Sequence, residues 1–123
     1  MTTHHTIRSS YDNLGLAMLI SEPSGTPKGI VQIVHGMCEH KERYIPFMEY
    51  LSDAGYICII HDHRGHGESV ISEEDLGYMY KGGWQALVED IHSVRMEAEK
   101  MFPSLPYTLI GHSMGSMAVR SYT

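Results

Sequence analysis

Gly111-His112-Ser113-Met114-Gly115 is the stretch of this chain best suited to covalent chemistry. A serine hydroxyl is a poor nucleophile at neutral pH. It must be held clear of its own backbone, beside a base and beside donors for the oxyanion formed on attack. A strand–turn–helix corner with the serine at its apex does this, and a glycine two residues to either side removes side chains that would collide there. The flanks fit such a corner. Tyr107 to Ile110 is a short β-prone apolar run after Pro103 and Pro106, as expected of a buried parallel strand, and Met114 to Tyr122 has no proline and can continue as a helix whose N-terminal amides face the serine oxygen. Ser113 is therefore the candidate nucleophile, with Gly111, His112 and Gly115 shaping its turn. A plain Gly/Ser-rich turn would use the same residues, so the rest of the chain must decide.

A second segment supplies the donors. Gly29-Ile-Val-Gln-Ile-Val34 reads as a β-branched strand and ends in His35-Gly36-Met37-Cys38-Glu39-His40. Glycine after a central parallel strand lets the backbone turn so that the next amide points into the crevice at the strand's carboxyl end, where open α/β sheets bind ligands. The Met37 amide is the candidate for one oxyanion donor and the Met114 amide for the other, with His35 and Gly36 shaping the site.

The densest polar cluster is His61-Asp62-His63-Arg64-Gly65-His66-Gly67-Glu68-Ser69. His61-x-His63-x-x-His66 is similar to the HxHxDH zinc motif of metallo-β-lactamase-like hydrolases, but Gly65 stands where that motif needs an aspartate, and two histidines on a glycine-rich loop close no first shell by themselves. The favoured reading is a loop shaped by Gly65 and Gly67, in which Asp62 and Arg64 pair with each other and brace the crevice wall.

The elements that must position these residues follow from pattern. Residues 1 to 6 are polar and read as frayed, with no role for His4 or His5. Ile7 to Tyr11 and Leu16 to Ser21 form a hairpin about Asp12-Asn13-Leu14-Gly15, and residues 22 to 29 are a loop. Pro46 suits a first helical turn, Phe47, Met48 and Leu51 give that helix its apolar face, and Gly55 ends it. Tyr56 to Ile60 is the next buried strand, making a right-handed βαβ unit. Residues 70 to 82 are an acidic connection without a period. Trp84, Leu87, Val88, Ile91, Val94, Ala98 and Met101 mark an amphipathic helix from Gly83 to Met101 that packs on the sheet.

With 123 residues, 42% of them hydrophobic and 20% charged, the chain is one soluble globular domain at most. A net charge of −6 leaves no basic stripe for nucleic acid or anionic membrane. Cys38 and Cys58 form neither a disulfide framework nor a CxxC motif, and Cys58 falls in an apolar run as a buried free thiol. The run Leu14 to Ile20 is too short to span a membrane and lacks a basic segment before it. A reducing, cytoplasmic setting and no stable membrane insertion are expected.

His35-Gly-Met-Cys-Glu-His40, Asp62-His-Arg-Gly-His-Gly-Glu-Ser69 and Gly111-His-Ser-Met-Gly115, in this order, resemble the monoacylglycerol lipase and lysophospholipase branch of the α/β-hydrolases. The resemblance implies a mostly parallel α/β sheet with an N-terminal antiparallel hairpin, Ser113 as nucleophile, the Met37 and Met114 amides as oxyanion hole, a lipid-like ester as substrate, and neither metal nor cofactor. A related peptidase or thioesterase would share every residue named, and so would a perhydrolase or lyase on the same scaffold.

In that family the triad runs Ser, then Asp or Glu, then His, and both partners follow later strands. This chain stops at Thr123, none of its nine histidines fills the base's place, and the lid that sets acyl preference also lies downstream in the family. The resemblance thus implies the N-terminal half of one domain, residues 1–123, ending after the nucleophile turn. Two expectations follow for the chain alone. The strand before Ser113 leaves an open edge that favours self-association, and turnover without the base falls on the order of 10⁶-fold, as for an inactive fragment.

Overall fold

The computed structural model describes residues 2–37, 39–80 and 82–123, so the readings made of Met1, Cys38 and Lys81 lie outside the described residues. Among the described residues five strands form one sheet: β1 (Thr2–Arg8), β2 (Gly15–Ser21), β3 (Gly29–Val34), β4 (Tyr56–His61) and β5 (Tyr107–Gly111), in the order β1-β2-β4-β3-β5. β3, β4 and β5 are mutually parallel, and the β1–β2 hairpin joins antiparallel to β4. β3 and β4 are near-continuous apolar runs buried on both sides, as parallel strands require.

Helices cover the two faces. Helix α1 (Ile45–Asp53) follows a 3-10 turn at Lys41–Tyr44 and lies on one face, where Met48 packs with Leu19, Val31, Ile33, Cys58 and Ile60. Helices α2 (Gly83–Met101) and α3 (Met114–Tyr122) cover the other. Val94 and Ala98 meet Met18, Ile20, Ile30, Ile57 and Ile59, while Leu87 and Ile91 meet Val34, Met114 and Ala118. Among the described residues no helix is long and apolar enough to cross a membrane.

The bounds of β3, α2 and α3 fall where the sequence pattern puts them, and Pro46 sits in the first turn of α1. Other expectations are corrected. Thr2 to Thr6 are not frayed: they pair with Ala17 to Ser21, because an outermost strand tolerates polar side chains on its open face. The hairpin strand ends at Arg8, and the turn runs from Ser9 to Leu14 with Asn13 at φ 64°. Phe47, Trp84 and Met101 are exposed, since the core face of α1 rests on Met48 and the ends of α2 overhang the sheet. β5 is the outermost strand beyond β3, and its Thr108 and Ile110 are exposed on the face that α1 leaves bare.

Candidate active site

Parallel register brings the ends of three strands level. Val34 pairs with Gly111 and Ile33 with both Ile60 and Ile110, so His35, His61 and His112 leave the sheet at the same edge. Ser113 stands between β5 and α3 with φ 56° and ψ −118°, a left-handed backbone that side-chain-bearing residues rarely adopt. The chain can turn so sharply because neighbouring backbone lies where two side chains would be. A Cβ on Gly115 would stand 2.1 Å from Val34 O, and one on Gly111 would stand 2.6 Å from Gly115 O.

The glycine turn after β3 reaches this corner. A Cβ on Gly36 would lie 3.2 Å from Ser113 Cβ and 3.1 Å from His112 O, and the His112 N–H donates to Val34 O at 3.1 Å. Ser113 and His112 are exposed, while His35, Gly36, Met114 and Gly115 are buried. The Gly36 N–H donates to Glu39 and the Gly115 N–H to His112 O. Among the described residues the N–H groups of Met37 and Met114 meet no protein acceptor, and no side chain bonds to the Ser113 hydroxyl. His35 and Gly36 thus meet residues 111 to 115 at the N-terminus of α3, where helix amides favour developing negative charge.

Glu39 had no predicted role, yet it ties the two segments together. Its Oε1 accepts from the Gly36 N–H at 2.6 Å and from the Tyr44 hydroxyl at 2.7 Å, and lies 3.3 Å from His112 Nδ1; Arg43 is 3.0 Å from Oε2. Burial alone would raise this carboxyl, but the hydrogen bonds from Tyr44, Gly36 and His112 outweigh it and hold its pKa down at about 2.

Asp62 and Arg64 do not pair with each other, which corrects the sequence reading. Asp62 keeps the alternation of β4 and points to the α1 side, where its carboxylate accepts from the Lys41 backbone at 2.8 Å, from Lys41 Nζ at 2.7 Å and from the Glu68 N–H at 2.9 Å. By Arg64 the chain has left the strand, and the guanidinium lies against α2. There Nε donates to Asp90 at 2.7 Å and Nη1 to Asp12 at 2.8 Å. The loop is shaped as expected by Gly65 at φ 76° and Gly67 at φ 49°; a Cβ on Gly67 would meet the Asp62 carboxylate at 2.3 Å.

The histidines of this end form a packed cluster, with ring centroids 4.2 Å apart for His35 and His63 and 5.3 Å for His61 and His63. The His63 N–H donates to His35 Nε2 at 2.9 Å, so the His35 proton sits on Nδ1, which donates to Gly36 O at 2.7 Å. Both ring nitrogens of His61 lack a partner among the described residues. Among the described residues no three His, Cys, Asp or Glu side chains are placed to hold a metal ion.

Burial depresses these imidazoles: His35 lies below 6.5, His63 well below it, and His61 at about 3. The unfolded chain therefore binds more protons than the folded one below pH 6.5, and stability falls as pH drops from there toward 3. For His61 we expect a loss of roughly 1 kcal/mol per pH unit across this range, with His35 and His63 adding to it in the same direction. Urea melts at pH 8 and pH 5.5 check this, a window above the titration of Glu39. His61→Leu, which removes two unpartnered nitrogens, should gain more stability at pH 5.5 than at pH 8. A pH-independent difference would refute the assignment.

Residues 25–123 match the serine aminopeptidase S33 family. Over 94 residues the chain is 35% identical to the monoglyceride lipase of Rattus norvegicus, covering 76% of this chain and 29% of that protein. Over 100 residues it is 34% identical to the monoacylglycerol lipase of Mycolicibacterium smegmatis, covering 81% and 34%. It superposes on a thermostable carboxyl esterase from Bacillus coagulans with TM-score 0.87 at 34% identity, covering 98% of this chain and 39% of that one. A monoglyceride lipase variant from Saccharomyces cerevisiae shares the fold at TM-score 0.76 and 21% identity, covering 99% and 39%. The sheet is that of an α/β-hydrolase. The chain spans about a third of the length of the curated relatives it matches.

Proposed function

Because the chain belongs to the serine aminopeptidase S33 family, we propose that it carries the nucleophile of a serine hydrolase. This hydrolase cleaves carboxylic esters of lipid-like substrates, a monoacylglycerol or a lysophospholipid. The observation that carries the reading is the strained Ser113 at the N-terminus of α3, with the Gly36 turn packed against it. Ser113 Oγ attacks the ester carbonyl carbon and its proton passes to a base. The carbonyl oxygen takes the negative charge between the Met37 and Met114 amides, and the C–O bond to the alcohol breaks as that oxygen gains a proton. Water then attacks the acyl-serine, releasing the fatty acid and restoring the hydroxyl. The substrate class rests on the monoglyceride lipase and esterase names of the relatives.

Two other readings have support. The name of the family favours peptide substrates. An idle site is favoured by the Ser113 hydroxyl, which among the described residues meets no imidazole. A cytoplasmic setting belongs to the same proposal and rests on Cys58, a buried free thiol whose pKa burial pushes up to about 11. The test compares medium-chain p-nitrophenyl esters with an aminoacyl p-nitroanilide, following acylation of Ser113 by intact mass. Acylation by the ester, lost in Ser113→Ala, is expected; acylation by the anilide alone would favour the peptidase, and none by either would favour the idle site.

A further inference from the structure

We infer that Glu39 is the positioning residue that sets the Met37 amide against Ser113, by clamping the turn after β3 to the turn after β5. The inference rests on the reading of Ser113 as nucleophile and goes beyond it by naming what holds the oxyanion donor in place.

Three observations carry it. First, one carboxylate oxygen serves both turns: Glu39 Oε1 takes the Gly36 N–H at 2.6 Å and lies 3.3 Å from His112 Nδ1, although the two partners are far apart in sequence. Second, the carboxylate is itself fixed. Its side chain is 7% exposed, the Tyr44 hydroxyl donates to Oε1 at 2.7 Å, and Arg43 stands 3.0 Å from Oε2. Third, the fit leaves no slack, since a Cβ on Gly36 would lie within 2.9 Å of Glu39 Oε1 and 3.2 Å of Ser113 Cβ.

The consequence for the site is a division of labour between adjacent amides. The Gly36 N–H is spent on Glu39 and cannot serve an oxyanion. The Met37 N–H, one residue on, is left without an acceptor among the described residues. Its own peptide is held through the Gly36 carbonyl, which accepts from His35 Nδ1 at 2.7 Å, and Glu39 fixes the peptide before it, so the two bonds together set the turn. Charge-assisted hydrogen bonds of this length are stiff, and an oxyanion donor displaced by a fraction of an ångström loses much of its effect. Among the described residues Glu39 makes no bond to Ser113 Oγ, so it acts through the backbone of the turn after β3.

The test uses the whole chain and three variants, with two readouts. Amide hydrogen exchange reports the Gly36 N–H against the amides of β3 and β4, and saturation kinetics with a fluorophosphonate separate the maximal labelling rate of Ser113 from the half-saturating concentration. In Glu39→Ala, exchange at Gly36 should rise at least tenfold while β3 and β4 are unchanged, and the maximal labelling rate should fall at least tenfold with the half-saturating concentration within twofold. Glu39→Gln keeps an oxygen that can accept from Gly36 and Tyr44, and should restore most of both. Tyr44→Phe removes one anchor at little risk to folding and should shift both readouts in the same direction by two- to threefold. Exchange that rises equally across the sheet, or a labelling rate indifferent to Glu39, overturns the inference. If the unmutated chain takes no phosphonate, the reading of Ser113 is what fails, and the exchange contrast at Gly36 alone decides whether Glu39 is the clamp.

Discussion

Gly115→Ala is expected to cost about 3 kcal/mol of stability and to silence Ser113. The added methyl would stand 2.1 Å from Val34 O and 2.5 Å from His35 O, both backbone atoms of the central strand and its exit, which no rotamer change can clear. The strain is steric, so the cost is one of packing and not of backbone freedom. Relief requires α3 to move off β3, and that breaks the contacts of Met114 and Ala118 with Val34, Leu87 and Ile91. It also withdraws the Met114 amide from the serine it follows. For a chain of this size such a loss corresponds to roughly 10 °C in melting temperature. Gly25→Ala is the control, because nothing lies within 4 Å of a Cβ there, and it should change stability by less than about 0.5 kcal/mol. Denaturant melts of both variants decide; equal stability would show that the corner is looser than its geometry indicates.

Arg64→Leu should destabilise the fold by about 3–5 kcal/mol at neutral pH. Arg64 and Asp90 are both fully buried and paired at 2.7 Å, with the Ser9 hydroxyl donating to the same carboxylate at 2.5 Å. Removing the guanidinium leaves Asp90 charged and buried, with a hydroxyl as its remaining partner. It also frees Asp12 and the β1–β2 turn, which Arg64 joins to α2. Burial already raises the Asp90 carboxyl even against the hydrogen bonds of Arg64 and Ser9. Without Arg64 it rises further, so the folded variant favours the protonated acid. The penalty should therefore shrink as pH falls toward 5, opposite in sign to the loss expected from the histidines. Arg64→Leu combined with Asp90→Asn should recover part of the stability at pH 7. Melts at pH 5 and pH 7 test both statements, and a penalty that grows on acidification would contradict the pairing.

What the sequence shows plainly are the elements with one dominant period. The β-branched run 29–34 and the spacing of Leu87, Ile91, Val94 and Ala98 have one reading each, and the glycines around Ser113 mark a corner once the apolar run before them and the proline-free run after them are read with them. Polar strand residues at a sheet edge are harder to see: Thr2 to Thr6 carry no alternation strong enough to distinguish them from a solvated terminus. Long-range ion pairs are harder still. Asp62 and Arg64 look like partners because they are neighbours, but which side of the sheet each faces is decided by where β4 ends. Glu39 escapes for the same reason: its acceptor role toward Gly36 is local and could be suspected from a carboxylate three residues after a glycine turn. Its link to His112 exists only once β5 has returned beside β3.

If residues 36, 37 and 111 to 115 build a reactive serine site, the whole chain exposed to a fluorophosphonate gains one phosphonyl adduct by intact mass, mapped to Ser113 and absent from Ser113→Ala. An adduct that persists in Ser113→Ala, or none on the unmutated chain, rules that site out.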